Sequence, residues 1–183
     1  MKKQKLHIHF ALDTSYDVDQ DTFQNMKDLV KASLNSLDIS GKTHNIKLYS
    51  FGSTSNVASE SNQGMTLSNV EDMINNMERV GGDRRLDMLL RSISKPVNVL
   101  IILTTGNNVL SGQENIKSLS DQLSKDGVEV LVINIGSVTK TNLLKLIAKE
   151  SSNLLFVNSG LSLPYVLGDV EKFVGRNSGK ILI

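Results

Sequence analysis

Apolar and polar residues change period along the chain, and the changes divide it into alternating elements. Leu6-His7-Ile8-His9-Phe10-Ala11-Leu12 is a short β-rich run, and Ile46-Lys47-Leu48-Tyr49-Ser50-Phe51 alternates with period two before Gly52. Val97 to Leu103 and Val128 to Ile133 are nearly continuous apolar runs, the composition of strands covered on both faces of a parallel sheet. Leu154-Leu155-Phe156-Val157 is a shorter run of the same kind. Between them the spacing becomes helical. Phe23, Met26, Val30, Leu34 and Leu37 recur every three or four residues, with Asp19 or Asp21 placed to cap the start and Gly41 just past the end. Further helices are predicted over Leu67 to Met77, Leu86 to Ile93, Ile116 to Leu123, Leu143 to Ala148 and Val166 to Val174.

This alternation predicts an α/β domain with a doubly wound, mostly parallel six-stranded sheet, helices on both faces and right-handed crossovers. Pro96 and Pro164 are both expected between elements. No repeat, low-complexity block or linker interrupts the pattern, so residues 1–183 read as one domain with its core over about residues 5–174 and a flexible tail over 175–183.

A chain of 183 residues is long enough to bury a core without covalent staples. Lys plus Arg number 20 and Asp plus Glu 19, a net charge of +1 that supplies no broad basic field for nucleic acid. Cysteine is absent, which excludes a disulfide scaffold, a thiolate metal site and a cysteine nucleophile. The Val97 to Leu103 run is too short to cross a bilayer, and His7, His9 and Asp13 break up any secretory core near the start, so a secreted form would need a signal outside these residues. No Asn-x-Ser/Thr glycosylation acceptor occurs.

In an open α/β sheet, ligands bind beyond the carboxyl ends of the strands where strand order reverses. The loop after the first strand, Asp13-Thr14-Ser15-Tyr16-Asp17, places carboxylate, hydroxyl and carboxylate at alternate positions. These are hard oxygen donors suited to Mg²⁺, Mn²⁺ or Ca²⁺. Thr104-Thr105-Gly106-Asn107-Asn108 follows the Val97 strand, and Gly81-Gly82 would let the chain turn and bring Asp83 toward the same crevice.

With these loops in view, the sequence resembles a von Willebrand factor A (VWA) domain over roughly residues 5–174. FALDTSYDVDQDTFQNMKDLVKASL is similar to that family's first strand, metal loop and first helix, and VEVLVINIGSVTKTNLLKLIAKESSNLLFV to its fifth through sixth strands. The family's metal-ion-dependent adhesion site (MIDAS) is built from an Asp-x-Ser-x-Ser loop, a Thr after a glycine-rich turn and an Asp after the fourth strand. The resemblance puts these positions at Asp13, Ser15 and Asp17, then Asp83, then Thr105. Three of the five depart from the pattern: Asp17 replaces a hydroxyl, Asp83 the Thr and Thr105 the Asp. Three carboxylates converging on one point would repel one another unless a cation lay between them; otherwise these residues are hydrogen-bonding loop and cap residues. Arg84 and Arg85 are expected on the surface near the crevice.

Other constellations carry less. Asp17, Asp19, Asp21 and Asp28 imitate an EF-hand spacing, but the sixth position is Thr22, the twelfth is not Glu, and the segment overlaps a helix. His7 and His9 share a strand face with no third ligand nearby, which favours a hydrogen-bonded pair over zinc. Gly81-Gly82-Asp83-Arg84-Arg85 lacks the ending of a phosphate loop, the methionines read as core filler, and there is no nucleophile elbow or dinucleotide fingerprint. No organic cofactor is expected.

The resemblance implies a non-enzymatic binding module of adhesion or extracellular-matrix type. It would take a protein partner such as collagen or another matrix component through the top of the sheet, with Tyr16, Asn107 and Asn108 on the rim, and would work outside the cell without entering a membrane. The rival class is an intracellular VWA scaffold within a larger assembly. A metal-dependent hydrolase would need a general base or nucleophile that the sequence does not offer.

Overall fold

The computed structural model describes residues 5–37, 44–60, 66–106, 113–136 and 141–179. Six strands form one sheet: β1 His7–Asp13, β2 Asn45–Phe51, β3 Ser55–Glu60, β4 Val99–Thr104, β5 Glu129–Ile135 and β6 Leu154–Val157. Their order is β3-β2-β1-β4-β5-β6. All neighbours run parallel except β2 and β3. β3 is the strand for which the sequence analysis located no run. Its sequence, SNVASE, holds a single β-branched residue and no apolar run or alternation, and it pairs with β2 as an antiparallel edge.

Among the described residues six α-helices flank the sheet: α1 Gln20–Ser36, α2 Leu67–Asn75, α3 Leu86–Ser92, α4 Gln113–Lys125, α5 Asn142–Ala148 and α6 Leu167–Gly179. The period of two sorts the strand residues between two apolar layers. Ile8, Phe10 and Leu12 of β1, with Ile101 and Leu103 of β4, pack under α1, α2 and α6. Ala11, Tyr49, Leu100, Ile102, Val130 and Val132 face the other way, under α3, α4 and α5. On α1 the stripe Phe23, Met26, Val30 and Leu34 is fully buried, as its spacing predicts, and each such side chain contributes about 1.5–3 kcal/mol relative to exposure.

Local chemistry sets the element ends. Asp19 takes the cap of α1, its carboxylate accepting from the Thr22 N–H at 2.6 Å, which also disposes of the EF-hand reading. Lys27 is carried into the α1 interface by its stem; its ammonium donates to the carbonyl of Asn75, the last residue of α2, at 2.8 Å, and burial pushes its pKa down. His44 Nδ1 accepts from the Leu6 N–H at 3.0 Å and His9 Nδ1 lies 3.4 Å from the Tyr49 hydroxyl.

Two expectations need correction. Pro164 lies inside a 3₁₀ segment, Gly160–Val166, where its missing N–H is tolerated in a short turn that leads into α6. The supposed flexible tail from 175 is helical as far as Gly179, because Phe173, Val174 and Asn177 still face the core.

The order places β1 at the centre, with β2 on one side and β4 on the other, so the chain leaves β1 in opposite directions toward β3 and β6. The carboxyl ends of β1 and β4 therefore bound the crevice at which a ligand site is expected.

Candidate functional site at the carboxyl end of the central strand

Asp13 is the last residue of β1, and the loop after it is knitted to two others by backbone bonds. Thr14 N–H donates to Phe51 O at 2.8 Å, Gly81 N–H to Thr14 O at 3.0 Å, Tyr16 N–H to Gly82 O at 2.9 Å, and Arg85 N–H to Gly52 O at 3.2 Å. Such close backbone approach requires the glycines. A Cβ on Gly52 would stand 2.0 Å from the Gly81 carbonyl oxygen, and Gly82 adopts φ +83° where a Cβ would strike the Ser53 hydroxyl.

The turn at 81–82 delivers Arg84 into the crevice. Its side chain is 1% exposed and its guanidinium lies among the polar groups of the first loop and β4. Nε donates to Asp13 Oδ2, Nη2 to Thr105 Oγ1 and to Asp17 Oδ1 (2.5 Å), and Nη1 to Asp17 Oδ2 at 3.3 Å. Asp13 is wholly buried. Its Oδ1 accepts from the Ser15 N–H at 3.0 Å and the Ser15 hydroxyl at 2.5 Å, while Oδ2 also accepts from the Thr104 hydroxyl at 2.6 Å. Ser15 Oγ lies 3.2 Å from Asp17 Oδ1 as well. Two carboxylates that would repel each other in a low-dielectric crevice are thus bridged by one fixed cation whose planar fork reaches both.

The predicted residues divide accordingly. Asp13, Ser15, Asp17 and Thr105 come together. Asp83 does not join them: it is exposed, its N–H donates to Ser53 Oγ at 2.9 Å, and its charge acts on Arg85. The residue that reaches the crevice from this turn is the next one, and the surface position expected for Arg84 is corrected to a buried one. Arg85 does stay at the surface, paired with Asp87 through two bonds of 2.9 and 2.8 Å that hold the Asp87 carboxyl below its ordinary range. Tyr16 is 79% exposed, with its ring beside Gly81. Asn107 and Asn108 lie outside the described residues. The residues that sequence reasoning missed are Arg84 and Thr104. A signal for Arg84 existed, since buried carboxylates need a cation and an arginine stood beside the position assigned to the third one.

This donor set does not fit a divalent ion as it stands. Each Asp13 oxygen accepts two hydrogen bonds, which fills the four lone-pair sites of that carboxylate, and the guanidinium sits between the remaining oxygens. Among the described residues no group of three His, Cys, Asp or Glu side chains is disposed to hold a metal.

A doubly wound, mostly parallel sheet with a polar cluster at its switch point defines the general class. The family is then unambiguous: the profile of the von Willebrand factor type A domain matches residues 7–167, and the chain belongs to that family. The human collagen alpha-5(VI) chain is 25% identical over 166 residues, covering 84% of this chain but only 6% of its own length. Proximal thread matrix protein 1 of the mussel byssus superposes with a TM-score of 0.83 at 21% identity, over 94% of this chain and 48% of that one. The same protein has been solved with a zinc-occupied MIDAS motif (TM-score 0.80). The manganese-loaded TRAP protein of Plasmodium vivax superposes with a TM-score of 0.69 at 15% identity, over 91% and 73% of the two chains. The likeness to these solved structures shows the fold, and two of them hold a metal, zinc in one and manganese in the other. Among the described residues no helix is long and apolar enough to cross a membrane.

Proposed function

We propose that this VWA domain is a non-enzymatic, adhesion-type binding module that takes a protein partner on the top of its sheet, outside the cell. The observation that carries the reading is Tyr16: a large amphipathic side chain left 79% exposed on a loop that is otherwise pinned by backbone bonds and a buried ion-pair network. An exposed tyrosine on a rigid loop loses little conformational freedom on binding, the combination that makes interface hot spots. Asn107 and Asn108 extend the proposed rim after β4. The partner class is a matrix protein such as collagen, by analogy with the matrix relatives. The Asp13 and Asp17 carboxylates are already committed to hydrogen bonds and a guanidinium, so neither is placed as an activated base for hydrolysis, which supports the non-enzymatic reading.

The test is binding of the purified domain to immobilised collagens and other matrix proteins, with Tyr16→Ala alongside. The expected result is saturable binding that weakens about tenfold or more in the variant. Absence of binding to every matrix protein tried, or binding indifferent to Tyr16→Ala, would sink this reading.

A further inference from the structure

We propose that the Arg84 guanidinium is a built-in replacement for the divalent cation of this fold's metal site, and that removing it would uncover a metal site the wild-type protein does not use. This inference rests on the crevice geometry and stands whether or not the partner is a matrix protein.

The physical task of a cation here is to neutralise clustered carboxylates and pull three loops together. Arg84 does both. Its four assigned N–H donors, one from Nε, one from Nη1 and two from Nη2, engage Asp13, Asp17 and Thr105, which join the loop after β1 to the end of β4. Arg84 itself comes from the third loop. Unlike a metal, a guanidinium has fixed donor directions and no exchangeable coordination position. It is also buried, at 1% side-chain exposure, so an acidic side chain on a partner could not reach it. Recognition by this face would then be indifferent to chelators and would draw nothing from a carboxylate-to-metal bond. The oxygens themselves remain a hard donor set: shortening residue 84 would leave Asp13, Ser15, Asp17 and Thr105 around a vacated position of the kind Mg²⁺ or Mn²⁺ takes.

The experiment compares the wild type with Arg84→Thr, each melted in chelator and in millimolar MnCl₂ and titrated calorimetrically with MnCl₂. For the wild type the expectation is no binding heat and a melting temperature that is the same in both buffers. For Arg84→Thr it is saturable Mn²⁺ binding and a rise of several degrees with Mn²⁺, as linkage requires of a ligand held only by the folded state. Adding Asp13→Ala to that variant should abolish the rise. Wild-type protein that binds and is stabilised by Mn²⁺ overturns the proposal, and so does a folded Arg84→Thr that ignores the ion. Should the variant not fold in chelator, refolding from urea decides: recovery only when Mn²⁺ is present supports the proposal, and equal failure in both buffers overturns it.

Discussion

Arg84 and Arg85 are neighbours in sequence with the same side chain, and both pair with carboxylates, yet they occupy opposite regimes. Arg85 clasps Asp87 two residues away at the start of α3, where water reaches the guanidinium, 38% exposed, though the Asp87 carboxylate itself is buried. Arg84 reaches Asp13 and Asp17, 71 and 67 residues back, and is closed off from solvent. The local pair could form in an isolated helix, whereas the distant one exists only once the sheet has assembled and the glycine turn at 81–82 has aimed the chain inward. A guanidinium–carboxylate contact therefore says little until its burial and its sequence separation are known.

The largest effect should come from breaking the buried pair. Arg84→Met leaves the Asp13 charge in the core with hydrogen bonds but no counter-ion, at a cost of about 3–5 kcal/mol and a melting temperature lower by on the order of ten degrees. Asp13→Asn should also destabilise. The double variant should lose less than the sum of the two by about 1–3 kcal/mol, since once one partner is gone the other has less left to lose. Asp17→Asn should cost less than Asp13→Asn because the Asp17 side chain, 39% exposed, can be rehydrated. Urea titration of the four variants measures this, and additivity of Arg84→Met and Asp13→Asn would show that the crevice is not an ion-pair network.

A smaller effect is expected one turn away, where Asp19 caps α1. The Thr22 N–H and hydroxyl hold this carboxyl below its ordinary value of 3.8. With the folded-state pKa depressed, the stabilisation is complete above the unfolded value and is lost as pH falls through the folded one. Asp19→Ala should therefore cost roughly 1 kcal/mol at neutral pH, and the gap to the wild type should close in acid below pH 3.8. Asp19→Asn should keep most of the cap while flattening that dependence. A gap of equal size at both ends of the titration would mean that the charge of Asp19 plays no part in the cap.

These contrasts also mark how far the sequence could be read. Strands β1, β2, β4, β5 and β6 announce themselves because burial on one or two faces forces apolar runs or alternation, and α1 because its stripe keeps a strict helical spacing. SNVASE could not announce β3, since this antiparallel edge strand has neither an apolar run nor alternation, whereas β6 at the opposite, parallel edge carries the apolar run Leu154-Leu155-Phe156-Val157. At the site, Asp13, Ser15, Asp17 and Thr105 follow from their places after β1 and β4. The third contributor was misplaced by one residue: two left-handed glycines in succession rotate the following side chains by an amount that composition does not encode, so Arg84, not Asp83, enters the crevice. Arginine on a loop is ordinarily a surface residue, and only the carboxylates folded around this one reverse that rule.

The least effect is expected at the surface cluster formed by Asp121 with Lys149 and, at 3.4 Å, Lys117. The three have the composition of a stabilising network, and the Lys149 ammonium first, then Lys117, hold the Asp121 carboxyl below its ordinary value. Their side chains are nevertheless between about a third and two thirds exposed, so water and salt compete for every charge. Since the shift is downward, whatever the cluster contributes is present above pH 3.8 and fades as acid protonates Asp121 through its lower folded pKa. Asp121→Asn should melt within about one degree of the wild type at neutral pH, and molar NaCl should erase even that difference. A loss comparable to that of Arg84→Met and unmoved by salt would break the comparison, because burial would then no longer be what separates a guanidinium that wires the fold from charges that decorate its surface.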